Sequence, residues 1–187
     1  MIARFVVACI VMSASAAPAA DQALGVLDIT LGASYARLER DLDFRDMNTS
    51  LAQIKDGKPD LGKRGYGCMK RDDAFADVAC VSHDEKLDGT GTREIRLHFL
   101  HGRLQQFSVT AELQHYDAII GYLRMRFGAP RQDASPSPDA APSLKWENEA
   151  GQISAYRGKD LVFVSFELAT YADAVKRKRD GAGLECN

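Results

Sequence analysis

The stretch REIRLHFLHGRLQQFSVTA, residues 93–111, organises the rest of this chain. Apolar residues alternate with polar ones over residues 95–99, and the alternation resumes over residues 107–111. A period of two is typical of a strand with one buried face. His101 and Gly102 lie between the two segments and predict a tight turn, because glycine readily adopts the positive φ that a reversal needs. The stretch therefore predicts a β-hairpin.

The pattern within this hairpin also predicts an irregularity. Leu104 lies out of phase with Phe107, so we expect a β-bulge near Gln105 and Gln106. Further strands are predicted on both sides of the hairpin, where short apolar or alternating segments are bounded by turn residues. These segments are residues 24–31, 66–69, 78–82, 144–149, 152–156 and 161–168.

Three segments have a helical pattern instead. Ser34 can cap a short helix that runs to Leu42. Residues 116–127 carry apolar side chains at helical spacing, and Gly128 and Pro130 follow as stop signals. Residues 172–179 form a short charged helix. We expect loops over residues 43–64 and 131–143 and a polar connection over residues 84–91.

The order of a helix followed by strands occurs twice along the chain. We therefore predict an α+β fold, in which an antiparallel sheet has helices packed on one face. The two parts, residues 27–111 and 112–170, are interpreted as diverged halves of one domain over residues 21–170. Residues 171–187 are expected to add a C-terminal helix and tail.

The first twenty residues have the pattern of a secretory signal peptide. Arg4 precedes a short apolar run, and small residues with Ala-x-Ala sites follow it. A periplasmic or secreted protein is therefore expected. Cys9 has a lipobox-like setting, but the apolar stretch before it is short for a lipoprotein signal. No later segment predicts a membrane span, and the oligomeric state is left open.

Three cysteines follow the signal segment. Cys68 and Cys80 are placed to pair across a hairpin, which an oxidising compartment would allow. Cys186 is then the odd cysteine. It is free, joined to another chain, or a competitor for one of the other two, and the sequence alone does not choose.

The net charge and the motifs of the sequence bear on which classes of function it indicates. A net charge of −2 gives no electrostatic argument for nucleic acid or for an anionic membrane. His98 and His101 lie three residues apart, which on a strand places them on opposite sides, so no metal site is predicted. The sequence has no nucleophile elbow and no phosphate-binding loop. We therefore predict no cofactor and assign no catalytic residue.

Short motifs support a resemblance to known exported proteins. Gly-x-Ser-Tyr-x-x-Leu-x-x-x-Leu at 32–42 and the two cysteine-bearing strands resemble the β-lactamase-inhibitor-protein-like class. Arg-Phe-Gly-Ala-Pro at 126–130 is similar to helix ends in the outer-membrane assembly small lipoproteins. The chain departs from the lipoproteins in its short apolar stretch before Cys9. The resemblance implies an exported α+β fold and protein binding, and it carries over no site residue.

The preferred function is that of an exported binding protein of the bacterial cell envelope that engages a protein partner, in an inhibitor-like or assembly-like role. Aromatic and arginine side chains often anchor such contacts. The candidate contact residues are therefore Tyr66, Arg96, His98, Arg103, Trp146 and Tyr156. Two alternatives stay open. One is an envelope hydrolase using carboxylates, with Glu167 as the residue to inspect. The other is a small-ligand carrier with an apolar cavity between helix 116–127 and the sheet.

Overall fold

The structure is a computed structural model that describes residues 23–47, 65–71, 73–83, 85–133 and 142–181. Within these ranges the fold is α+β, and none of the described helices has the length and apolarity of a membrane span. The helices are α1 (Tyr35–Asp41), α2 (Tyr116–Phe127) and α3 (Tyr171–Gly181). The strands are β1 (Gly25–Val26), β2 (Ile29–Thr30), β3 (Phe44–Asp46), β4 (Tyr66–Lys70), β5 (Val78–Ser82), β6 (Lys86–Leu87), β7 (Thr90–Gly91), β8 (Glu94–Leu100), β9 (Arg103–Glu112), β10 (Arg131–Asp133), β11 (Ser143–Asn148), β12 (Gly151–Arg157) and β13 (Leu161–Leu168).

The central hairpin is β8 and β9, as its alternation predicted. His101 and Gly102 form the turn, with φ of 54° and 70°. The expected bulge is also present. His98 pairs with Gln106 whereas Phe99 pairs with Leu104, so Gln105 is the extra residue on β9. Because of the extra residue, Leu104 and Phe107 lie on the same face of the sheet, and both are buried.

Nine strands of the described residues form one sheet in the order β10-β11-β12-β13-β9-β8-β5-β4-β3. All neighbours are antiparallel except β3 and β4. Strands β9 and β13 lie side by side, so the last strand of the first half pairs with the last strand of the second. In each half a helix, α1 or α2, precedes the strands that the half contributes to this sheet, and the short hairpin β1–β2 lies before α1. The helix-then-strands order predicted for both halves is therefore confirmed.

The main core lies on one face of this sheet. Its buried members include Leu38 of α1 and Ile119, Ile120 and Leu123 of α2, together with the hairpin β1–β2. Cross-strand pairing continues one core row over seven strands. That row consists of Trp146, Ile153, Phe166, Phe107, Leu97, Cys80 and Cys68. Ser34 caps α1 as expected, accepting a hydrogen bond from the Arg37 backbone N–H at 3.3 Å.

Several local expectations were wrong. Residues 24–31 are not one strand, because Leu27 and Asp28 form a tight turn with φ of 53° and 63° between β1 and β2. The polar connection over residues 84–91 contains the small hairpin β6–β7. Strands β3 and β10 occur where loops were expected. Both lie at sheet edges, where backbone hydrogen bonds suffice and no apolar alternation is needed.

The predicted disulfide between Cys68 and Cys80 is confirmed. The two residues face each other on β4 and β5, and both are buried in the core. A buried disulfide fits an oxidising compartment. The predicted signal peptide, residues 1–20, and Cys186 lie outside the described residues.

Candidate functional site

The face of the sheet opposite α1 and α2 is the candidate site. We call it the open face, and it consists of the side chains that alternate with the core residues on β4, β5, β8, β9 and β10–β13. Most of these side chains are half-buried or exposed. Cross-strand pairing arranges those of the middle strands in three rows, which differ in chemistry.

The first row is polar and joins Gln152, Glu167, Gln106 and His98 on successive strands. The second row joins three serines, Ser154, Ser165 and Ser108. The third row joins Tyr156, Phe163 and Thr110. The centre of the open face is therefore a line of small hydroxyl side chains between two lines of larger ones.

Charged clusters lie at both ends of the serine row. At one end, Arg131 is 3.0 Å from Asp133 and 3.3 Å from Glu147, and Lys145 is 2.6 Å from Glu147. At the other end, Arg96 is 3.0 Å from Glu94. Pairing places Arg131, Lys145 and Arg96 in the serine row itself. The uncharged centre is thus bordered by ion pairs.

An aromatic pair borders the serine row on one side. The rings of Tyr156 and Phe163 are stacked with centroids 5.5 Å apart. Tyr156 is exposed and Phe163 half-buried. Because stacked aromatic side chains are rigid and offer a large contact area, this pair is suited to anchor a partner.

Helix α3 lies at one end of the open face. The Tyr171 hydroxyl donates to the Phe75 carbonyl at 3.3 Å, and Lys178 Nζ donates to the Ala76 carbonyl at 2.8 Å. Tyr171 is buried, and burial followed by the charges of Glu167 and Asp73 raises its pKa to about 12. Glu167 lies on the open face and is close enough to Tyr171 to affect its pKa, so α3 borders that face beside the polar row.

Lys178 also forms an ion pair with Asp77 at 2.9 Å. Burial acts to raise the pKa of Asp77, but hydrogen bonds from Lys178 and the His101 backbone N–H, together with their charges, outweigh it and hold the pKa below its usual value. A lowered carboxylate pKa means that the ionised form stabilises the folded state. The pair therefore attaches α3 to the loop before β5.

This attachment gives a pH-dependent expectation. At pH 7 the Asp77→Asn variant should be less stable than the wild type by about 1 kcal/mol, because Asp77 is partly exposed. The ionised carboxylate contributes its stability above the unfolded pKa of about 3.9, and this is lost as the pH falls through the lower folded value. The difference between the two proteins should therefore shrink below about pH 4. Urea unfolding at pH 7, 5, 3.5 and 2.5 measures it, with the exposed Asp88→Asn as control. A constant difference at every pH would refute this role of Asp77.

The six predicted contact residues lie in three places. Arg96, His98 and Tyr156 are on the open face. Arg103 lies at the turn end of β9, where its Nη1 donates to the Gly32 carbonyl at 3.2 Å. Tyr66 and Trp146 are core residues with exposures of 3% and 5%, so neither presents a surface to a partner.

The aromatic side chains of Trp146 and Tyr66 suit an interface by residue type, but packing buries both. The Trp146 indole N–H donates to the Gly128 carbonyl at 2.8 Å, at the end of α2. Tyr66 packs against Phe44, with ring centroids 5.8 Å apart, and burial raises its pKa well above the usual range. Each of these two side chains therefore contributes to packing within its own half of the sheet.

His98 is half-buried in the polar row. Its Nδ1 atom is buried, and no hydrogen-bond partner for it occurs among the described residues. Burial is the main cause that lowers its pKa, and the charge of Arg96 lowers it further. The imidazole is therefore neutral at pH 7.

Glu167 has a setting that differs from that of a catalytic pair. Burial raises its pKa, while a hydrogen bond from Gln152 at 3.4 Å and the charge of Lys145 act to lower it. None of these neighbours is a second carboxylate. In the part of the chain that the structure describes, no cluster of three or more His, Cys, Asp or Glu residues could hold a metal ion.

Sequence reasoning missed the serine row and the charged cluster around Arg131. Each serine lies at a polar position of a different strand, and only the strand order and register bring the three together. The composition of residues 131–143 predicts a loop, whereas the structure has Arg131 on edge strand β10. A strand order would have been needed to find either feature.

Comparisons of the chain with protein-family models, with curated proteins and with solved structures gave no match.

Proposed function

We propose that this protein is an exported binding protein of the bacterial cell envelope, and that it holds a protein partner against the open face. The observation that carries the proposal is the composition of that face. The middle of the serine row has no charged side chain and is bordered by a stacked aromatic pair, and apart from Glu167 in the polar row the charged residues beside it lie at the two ends. Protein interfaces have the same arrangement, with few charges in the core and a polar rim.

The size of the face supports the same proposal. The open face includes eight of the nine strands of the sheet, so at about 4.8 Å spacing it is about 34 Å wide, and its strands of six or seven residues are about 20 to 23 Å long. That is close to the area of about 800 Å² that each partner contributes to a standard interface. A periplasmic or secreted location and an inhibitor-like or assembly-like role, as the sequence resemblance implies, are part of the proposal.

Affinity capture from an envelope extract tests it, with protein exported from the full chain as bait. The Arg96→Ala, Tyr156→Ala double variant removes an arginine and an exposed aromatic from the open face. Arg124→Ala, Met125→Ala is the matched control, because it removes an arginine and a large apolar side chain that are both exposed on α2. We expect a partner to be retained by the wild type and the control and reduced at least tenfold by the open-face variant.

Two outcomes would count against the proposal. Equal capture by both variants would show that the partner binds elsewhere. If the wild type captures nothing at low and at moderate salt, protein binding is wrong, and hydrolase and small-ligand screens should follow.

A further inference from the structure

We propose that the serine row is a groove for one extended peptide segment of the partner, with an uncharged middle and a carboxylate near each end. This inference rests on the proposed function and names the chemistry of the partner. We define the serine groove as Ser154, Ser165 and Ser108, between the polar row and the aromatic row.

Side-chain size makes this row a depression. Serine is smaller than the residues paired on either side, which are Gln152, Glu167 and Gln106 in one row and Tyr156, Phe163 and Thr110 in the other. Residues two apart on a strand are about 6.7 Å apart, so the two bordering rows are about 13 Å apart across the serines. An extended peptide fits between them.

The bottom of the groove offers hydrogen bonds without charge. Each serine hydroxyl can donate and accept, and so can the glutamine amides beside it. Gln106 Nε2 donates to Ser165 Oγ at 3.3 Å, which orients one hydroxyl. The backbone groups of these central strands are already used in the sheet, so recognition must come from side chains. Neutral polar groups of a peptide match this surface.

An exposed arginine lies in the ion-pair cluster at each end of the groove. In the cluster at one end, the Arg131 side chain is 62% exposed, against 37% for Asp133 and 43% for Glu147. At the other end, the Arg96 side chain is 48% exposed, against 26% for Glu94. Arginine is thus the most exposed member of each of these ion pairs. Because a guanidinium group binds carboxylates in a bidentate manner, each end favours an acidic side chain.

The distance between the ends sets the length of the segment. Arg131 and Arg96 lie in the same row, five strand spacings apart. At about 4.8 Å per spacing this is about 24 Å, which an extended chain spans with about seven residues. A neutral oligosaccharide would leave both arginines without a new partner, so the charges favour a peptide.

The test uses a displayed library of random nine-residue peptides, selected on the exported wild-type protein. We expect enriched peptides to carry Asp or Glu near both ends and uncharged residues between them. Fluorescence anisotropy with a labelled synthetic copy of the most enriched peptide then gives Kd values. Ser165→Tyr, which fills the groove, should raise Kd at least tenfold. The Arg96→Gln, Arg131→Gln double variant, which changes only exposed side chains, should do the same.

Matched controls lie on α2, away from the open face. Ala118→Tyr adds the same side chain at an exposed position, and Arg124→Gln removes one exposed arginine charge. Neither should change Kd by more than about twofold. Circular dichroism of Ser165→Tyr checks that it folds, and the arginine variant decides the matter if it does not.

Failure of the groove can be told apart from failure of the proposed function. If Arg96→Ala, Tyr156→Ala loses the captured partner while Ser165→Tyr retains it, the open face binds protein and the groove inference is wrong. Enriched peptides without acidic ends, or peptides that bind all variants equally, would also overturn it. So would chitohexaose binding that Ser165→Tyr abolishes, if no peptide is enriched.

Discussion

Replacing Phe166 with alanine should lower the free energy of unfolding by about 3–5 kcal/mol. Phe166 is fully buried and stacks on Phe107, with ring centroids 4.2 Å apart and an interplanar angle of 9°. It also contacts Phe127 of α2 edge-to-face, at 6.3 Å. The alanine variant loses the burial of the ring, its stacking, and the packing between the two halves of the sheet. Urea unfolding followed by circular dichroism measures the change.

Phe75→Ala is the matched control, because it removes the same side chain from an exposed position. Its effect should stay within about 0.5 kcal/mol. A loss below about 1 kcal/mol for Phe166→Ala would contradict the placement of this ring at the centre of the core.

Loss of the Cys68–Cys80 disulfide should have the second large effect, about 3 kcal/mol. The bond closes a loop between residues 12 apart, and cross-linking such a loop removes conformational entropy from the unfolded chain. Both cysteines are buried at paired positions of β4 and β5. The Cys68→Ala, Cys80→Ala double variant avoids burying new hydroxyl groups, so it isolates the cross-link. Its urea unfolding is compared with that of the oxidised wild type.

Mass analysis without reducing agent checks the pairing itself. We expect peptides containing Cys68 and Cys80 to be joined in the exported protein, and Cys186→Ser to leave that bond intact. Free thiols at both positions would contradict the pairing and the oxidising compartment together.

Phe166 and the disulfide lie in different parts of the sheet. Phe166 lies where the halves meet, at the pairing of β13 with β9, whereas the disulfide joins two strands near the other edge. Among the residues that the structure describes, no ring contact or hydrogen bond joins the two sites directly, and effects at independent sites usually add. A variant that combines both changes should therefore be destabilised by about the sum of the two, which would bring it near the total stability of an ordinary domain.

The side chains proposed to bind the partner lie on the open face and are not part of the core. Ser165 and Tyr156 alternate with Val164 and Ala155, which are buried. Substitutions on the open face can therefore change binding while the core stays packed. This separation is what allows capture and peptide-binding experiments to distinguish a binding defect from unfolding.

Local patterns in the sequence were enough to determine the main elements. Alternating or apolar segments predicted β8, β9, β11, β12 and β13, because strand side chains point to the two faces in turn. The shift in phase between Leu104 and Phe107 predicted the bulge at Gln105. Apolar residues at helical spacing, followed by Gly128, predicted α2 and its C-terminal end. Proximity in a hairpin predicted the disulfide. Each of these features depends on residues that are close together in the chain.

Tertiary structure alone decided the order of the strands and therefore the site. Ser108, Ser154 and Ser165 come from three strands, and their alignment depends on the pairing of β9 with β13, which no local pattern encodes. Tyr66 and Trp146 show the same limit. Their residue type suits an interface and a core equally, and only the packing of the sheet against its helices decided that both are buried.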